Sequence, residues 1–464
     1  MIIDVKIENA RLVIPKVGIT KAGIAIKNGK IVAIAHDSHL PDAEKKIDAE
    51  DNYILPGIIE PHSHLGNYAP FINDLKTETA SAAGGGVTTL FTYLKLLKLP
   101  EPYCKYESHL DKFDELKKIV ENNIMINVAF HLMMTVTKDV DDIGRNFDVG
   151  INSFKYIMGF TGEESKRLGI ASLPDDDLYR GFENIAKHKD KNGTVCIHTE
   201  NVDINNFFRN KLVKNGRNDL SAWTESRPEF NEVDSLYKVI YFSEQTKCPL
   251  YIVHVDNGVS LKIISEAKQK GINMFAETCP HYLAFTKNDD FGILGKISPP
   301  LRNEQNIRYL WDGITNGTID TIGTDHMGGM LKKDKIGKGD VWSALSGFPG
   351  VETMLPFMLS EGVNKKRITL EHLAELCSYN ASRIFGLYPE KGTISVGSDA
   401  DLTIVNLHKK VKVAPEVLHS ASDFTLFEGW TFEGWPVLTM VRGNVVMENG
   451  TITGKCGEGR YVKR

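Results

Sequence analysis

The sequence predicts a (β/α)8 barrel with a small β-rich domain built from both chain ends. Three observations lead there: strand-like texture at the two termini, strand–helix alternation between them, and metal-competent side chains where the central strands end. At 464 residues the chain exceeds the size at which one hydrophobic core keeps growing, so an appendage or second domain is expected.

The N-terminal texture begins with Ile2-Ile3-Asp4-Val5-Lys6-Ile7, whose alternation reads as a half-buried strand. Arg11–Ile14, Gly23–Ile26 and Lys30–Ile34 read the same way, and Lys27-Asn28-Gly29 marks a turn. From about Asp399 the texture returns in Asp401–Val405 and Val437–Met447, with a turn at Glu448-Asn449-Gly450. Residues 1–55 and 390–464 are therefore assigned to one β-sandwich-like domain, and residues 56–389 to the barrel.

Within that middle region the strand candidates run from Ile54 into His64, then Val87–Tyr93, Met125–Met133 and Ser153–Met158. Four more are Thr194–Glu200, Leu250–Asp256, Asn273–Cys279 and Thr318–Asp325. Amphipathic segments separate them, such as those starting at Phe113 and Leu261. This alternation fits a TIM-type barrel with insertions. A doubly wound open sheet would favour a glycine-rich phosphate loop after its first strand, whereas Gly84-Gly85-Gly86 precedes a strand.

Composition narrows the function. Hydrophobic residues are 42%, charged residues 25% and net charge −5, with no basic block to suggest nucleic acid or an anionic membrane as partner. No basic stretch followed by an apolar run suggests a signal peptide, and no apolar run approaches the roughly 20 residues of a spanning helix. Cys104, Cys196, Cys248, Cys279, Cys377 and Cys456 are scattered, which favours reduced thiols in a cytoplasmic protein.

The chemistry concentrates at strand ends. His62 and His64, two apart, share one face of the first barrel strand and can grip one ion together. His198, His254 and Asp325 end the fifth, sixth and eighth strands, and Lys155 lies inside the apolar fourth. In a barrel these ends meet at one mouth, where active sites of this architecture sit. An unpaired ammonium is costly to bury, which leaves Lys155 a depressed pKa or chemical conversion.

This set resembles the cyclic amidohydrolase branch of the amidohydrolase superfamily, which includes dihydropyrimidinase, hydantoinases, allantoinase and dihydroorotase. The resemblance covers nearly the whole chain. It includes the stretches Leu55–His62, Ala276–Leu283, Ser298–Arg302, Lys391–Ile394, Gly397–Asp401 and Gly457–Arg464. It implies a hydrolase that opens a cyclic amide or ureide ring with a hydroxide held between two divalent ions, usually zinc, with manganese, cobalt or iron as alternatives. His62, His64 and Asp325 would hold the more buried ion, and His198 and His254 the second. Lys155, carboxylated by carbon dioxide to N6-carboxylysine, would bridge both, and Asp325 would shuttle the proton. The branch also implies a homo-oligomer, tetramer or dimer. Other readings are an allantoinase-like or other purine-derived ring specificity, a mononuclear deaminase that would not need Lys155, and a dihydropyrimidinase-like scaffold without catalysis. Retention of all six ligand positions argues against the scaffold.

Two departures bear on substrate. Where dihydroorotase-like sequences place a carboxylate-gripping arginine after the paired histidines, this chain has Leu65-Gly66-Asn67-Tyr68. Five residues after Lys155, where hydantoinases carry a tyrosine thought to steady the oxyanion, stands Phe160. Losing such a donor costs about 2.7–4 kcal/mol, which points to a non-standard ring. Ser298, Ser346 and Gly347 are the expected ring-amide contacts. Lys95 and Lys98, in an unusual loop after the second strand, read as solvated. Cys196 reads as packing, and His131, His281 and His326 as supporting residues.

Overall fold

The computed structural model describes residues 2–95, 99, 108–160, 165, 168–170 and 172–464. Cys104 and Lys98 lie outside them.

The N-terminal stretch forms strands β1 (Ile3–Glu8), β2 (Arg11–Ile14), β3 (Gly18–Lys21), β4 (Gly23–Lys27), β5 (Lys30–Ala35), β6 (Ala43–Asp48) and β7 (Tyr53–Pro56). The middle carries β8 (Ile58–Ser63), β9 (Val87–Leu94), β10 (Asn127–Met133), β11 (Ser153–Ile157), β12 (Thr194–His198), β13 (Leu250–Ile252), β14 (Met274–Thr278) and β15 (Thr321–Ile322). Toward the C-terminus come β16 (Leu402–Lys412), β17 (Thr431–Val441), β18 (Asn444–Glu448) and β19 (Thr451–Ile452).

Strands β8 to β15 pair in chain order, all parallel, with helices in the crossovers. Backbone bonds from His64 to the His326 carbonyl (2.8 Å) and from His326 to the His62 carbonyl (3.2 Å) join β8 to the segment after β15. The expected (β/α)8 barrel is thus present. Its lower interior is a packed core in which Phe91, Tyr251 and Phe385 meet at ring distances of 5.1 Å.

The two termini build a separate sheet-rich unit. A four-stranded sheet (β5-β4-β1-β6) and a seven-stranded sheet (β19-β18-β17-β16-β7-β2-β3) share an apolar core from Ile7, Ile24 and Ile26 to Leu402, Ile404 and Met440. The turn expected at Lys27-Asn28-Gly29 has Asn28 at φ 51° and Gly29 at φ 76°, the left-handed pair a two-residue hairpin turn needs. The final residues leave this sheet: Val462 donates to the Val128 carbonyl at 2.8 Å, so the tail runs along β10.

One expected strand is two. The run from Ile54 into His64 breaks at Gly57, with β7 in the terminal sheet and β8 in the barrel. A Cβ at Gly57 would lie 2.1 Å from Thr88 Oγ1, so only glycine lets the chain cross here. The sixth and eighth barrel strands are also shorter than expected, ending at Ile252 and Ile322. His254 and Asp325 therefore stand just beyond strands, with a consequence described next.

Candidate active site

Side chains from five barrel strands and the turns that follow them converge at the C-terminal mouth. His62 Nε2 and His64 Nε2 are 3.3 Å apart, and Asp325 Oδ1 lies 3.1 and 2.8 Å from them. One ligand atom from each of these three residues falls within 4.8 Å of the others, a group able to hold a cation. His198 ends β12, with Nδ1 2.9 Å from His254 Nε2. The His62 and His254 rings, 5.5 Å apart, join the two sets. Lys155 sits at the centre of β11, 1% exposed, with its Nζ lacking any hydrogen-bond partner and 4.9 Å from the Tyr93 ring centre. Burial lowers its pKa to about 8.

His254 and Asp325 have φ of 41° and 51°. Residues with a Cβ rarely adopt this left-handed conformation, which costs of order 1–3 kcal/mol and gathers at functional sites. Ending β13 and β15 early frees these two residues to turn in this way.

Carboxylates aim the rings. Glu277 accepts from His62 Nδ1 at 2.6 Å and from the His254 backbone N–H at 3.1 Å, so His62 presents Nε2 to the mouth. Glu200 accepts from His198 Nε2 at 2.7 Å and leaves Nδ1 facing His254. Glu60 takes the backbone N–H groups of His62 and Thr324, tying β8 to the loop that carries Asp325. Burial resists charge on His62, but Glu277 and Asp325 outweigh it and hold its pKa at about 9. Sequence reading missed these three glutamates, although each lies within a stretch it singled out. The available signal was that a liganding histidine usually donates its second N–H to a carboxylate.

The mouth opens into a cavity. Phe160, Ser298, Ser346 and Gly347 all line it, as do the six expected ligand residues. Ser298 and Ser346 bring their hydroxyls to 3.2 Å of each other. Phe160 is 6% exposed and meets the His198 ring edge-on at 5.3 Å, packed with Ile157, Leu168 and Ile170. The expectation of a solvated Lys95 is overturned. This side chain is 5% exposed, lines the cavity and hydrogen-bonds the Asn67 side-chain oxygen. Asn67, Met327, Leu168 and Ile170 were also missed, because loop residues carry no periodicity that points to a mouth.

Residues 250–446 match the model of the Amidohydrolase family. The chain is 34% identical to the L-hydantoinase of Paenarthrobacter aurescens, covering 99% of this chain and 98% of that one. With the D-hydantoinase of Ralstonia pickettii it shares 31%, covering 99% of each. Among solved structures, the L-hydantoinase (dihydropyrimidinase) from Arthrobacter aurescens superposes with a TM-score of 0.90 at 32% identity, covering 100% of both chains. The dihydropyrimidinase from Brevibacillus agri gives 0.87 at 29%, covering 99% of this chain and 98% of that one. The chain belongs to the cyclic amidohydrolase branch of the amidohydrolase superfamily. It is a hydrolase acting on cyclic amides.

In this cyclic amidohydrolase His131, His281 and His326 are buried in the barrel and make contacts of their own. His131 bonds Ser153 Oγ at 2.5 Å and the Pro61 carbonyl at 3.0 Å. His326 pairs with Glu78 at 3.0 Å, and the His281 ring lies 4.9 Å from Phe348. Cys196 is fully buried in the barrel interior. Among the described residues no helix is long and apolar enough to cross a membrane.

Proposed function

We propose that this enzyme opens the ring of a cyclic ureide, as hydantoinases and dihydropyrimidinases do, at a centre of two divalent metal ions. The observation that carries the reading is Lys155. It is a lysine buried at a histidine-lined mouth with no hydrogen-bond partner for its nitrogen, and so it is suited to conversion. A pKa near 8 leaves part of the amine neutral and able to take up carbon dioxide. The resulting carbamate would share one negative charge over two oxygens, both able to ligate a divalent ion.

The residues fit such a centre. His62, His64 and Asp325 would hold one ion and His198 and His254 the other, with the carboxylated Lys155 as a ligand available to both; imidazole and carboxylate donors suit zinc, with manganese, cobalt or iron as alternatives. When bound, the ions supply a water acidic enough to ionise near neutral pH and polarise the ring carbonyl. Asp325 takes the proton of the attacking water and passes it to the leaving ring nitrogen. Glu277 and Glu200 hold the imidazoles in register. Ser298, Ser346 and the Gly347 backbone orient the ring amide, while Phe160, Ile157, Leu168 and Ile170 keep water off its far side. We further propose a cytoplasmic homo-oligomer, dimer or tetramer. Support comes from Phe207, Phe230, Tyr237 and Tyr241, each more than half exposed on the helices Val202–Lys214 and Glu229–Thr246.

Purified enzyme should carry about two divalent ions per chain. Chelation should abolish ring opening across a panel of cyclic ureides, and added zinc should restore it. Absence of stoichiometric metal, or undiminished turnover after chelation, overturns the reading.

Phe160 sets the second expectation. Phe160→Tyr adds a hydroxyl beside His198, and half of a typical oxyanion-donor contribution raises the rate on hydantoin or dihydrouracil about tenfold. The comparison is kcat/KM for both proteins on those rings. If wild type already opens hydantoin fast and the variant changes nothing, Phe160 is wall packing and the case for a non-standard ring fails.

A further inference from the structure

The two segments proposed to orient the ring amide are tied together from behind the cavity wall. Residues 336–348 form neither helix nor strand, so their carbonyls have no ladder to bond into. Side chains take its place at four consecutive residues. Lys296 Nζ donates to the Ala344 carbonyl at 2.8 Å, and the Tyr68 hydroxyl to that of Ser346 at 2.8 Å. Lys335 Nζ donates to the carbonyls of Leu345 and Gly347 at 2.8 and 2.7 Å. The same ammonium donates at 2.6 Å to the carbonyl of Lys296, which stands two residues before Ser298. Its three N–H groups thus meet three carbonyls, the full donor complement of an ammonium. Backbone bonds close the clip: Gly347 N–H reaches the Lys296 carbonyl at 3.1 Å, and Leu345 N–H the Lys335 carbonyl at 2.9 Å. Lys335 is 0% exposed and is not among the described residues that line the cavity. Gly347, by contrast, lines it at φ 94°, where an added Cβ would come within 2.4 Å of Met327 Cγ.

We infer that Lys335 is a positioning residue for the ring substrate, its ammonium holding the Ser298 segment and the Ser346–Gly347 segment in one fixed register. The inference rests on the ring-opening reading above and adds to it that the wall receiving the ring amide is built before the ring arrives. The 3.2 Å approach of the Ser298 and Ser346 hydroxyls is the register so fixed. A buried ammonium is costly unless its donors are met, and three converging carbonyls meet them all at once. Without that centre the carbonyls of Leu345 and Gly347 would lose their donor and the irregular segment would sample other conformations. Ring binding would then carry the cost of ordering it, which a wall fixed beforehand avoids. The bonds of Lys335 run to the wall and not to the proposed metal ligands. Its contribution is therefore read in KM and Kd more than in kcat.

Lys335→Met keeps an unbranched stem and removes the three donors, which makes it the test. Metal-loaded wild type and variant are compared on hydantoin and dihydrouracil by kcat, KM and calorimetric Kd, with metal content measured on both. In the variant KM and Kd should rise about tenfold, the scale of one lost hydrogen bond to the ring. Its kcat should stay within about threefold of wild type, since no group that moves the proton is touched. Both ions should remain. Unchanged KM and Kd overturn the inference, as does a fall in kcat alone or a loss of metal in step with the lost affinity. If the variant fails to fold, hydrogen exchange in wild type decides. The Leu345 and Gly347 amides should exchange as slowly as those of β11 although their segment is irregular, and exchange at the rate of an exposed loop overturns the inference. If wild type binds these rings and opens neither, the ring-opening reading falls, and the Kd comparison still decides the role of Lys335.

Discussion

Lys155→Ala should abolish ring opening and lose one of the two metal ions. The wild-type side chain lies 1% exposed on β11 with no hydrogen-bond partner for its nitrogen, a costly placement for an ammonium. As the proposed carbamate it would supply a charge the site otherwise lacks, because four neutral imidazoles and Asp325 together bring a single formal negative charge for two dications. Truncation removes that bridge and leaves a gap the size of a small carboxylate. Acetate or propionate should therefore restore part of the activity by taking the gap, a rescue that a misfolded protein would not show. Intact mass spectrometry of wild type under mild conditions should show one added carbon dioxide, lost in the variant. Full activity of Lys155→Ala without added acid would remove the bridging role.

Asp325→Asn should lower kcat by two to four orders of magnitude, roughly the contribution of a positioned acid–base group. The amide is a poorer ligand and cannot carry the proton from the attacking water to the ring nitrogen. Folding should be little affected for a local reason: Asp325 has φ of 51°, and asparagine is among the few residues that tolerate this region. The variant thus separates chemistry from assembly, with unchanged melting and collapsed turnover as the expected pair of results. Near-native turnover would mean that another group carries the proton.

Much of the barrel was legible because parallel strands buried on both faces read as short apolar runs between amphipathic helices. Val87–Leu94 and Ser153–Ile157 appear close to where their residues suggest. The break at Gly57 was not legible, since it depends on Thr88 from another strand standing 2.1 Å from where a Cβ would be. Nor was the early end of β13 and β15, beyond which His254 and Asp325 take left-handed conformations. Local propensity carries no record of such turns, because the surrounding structure imposes them.

The same division holds at the site. The chain alone determined which residues could serve: paired histidines two apart, a lysine within an apolar strand, and an aspartate read as ending the last barrel strand. Each belongs to a local pattern in which the period of a strand sets the facing of its side chains. Tertiary structure decided what stands behind them and what shares their cavity. Glu277 reaches His62 across 215 positions of sequence, and Ser298 meets Ser346 across 48. Lys95, which local composition assigns to solvent, is folded against the cavity wall beside Asn67. Burial and partnership depend on where distant segments pack, and strand periodicity reports only on neighbours along the chain.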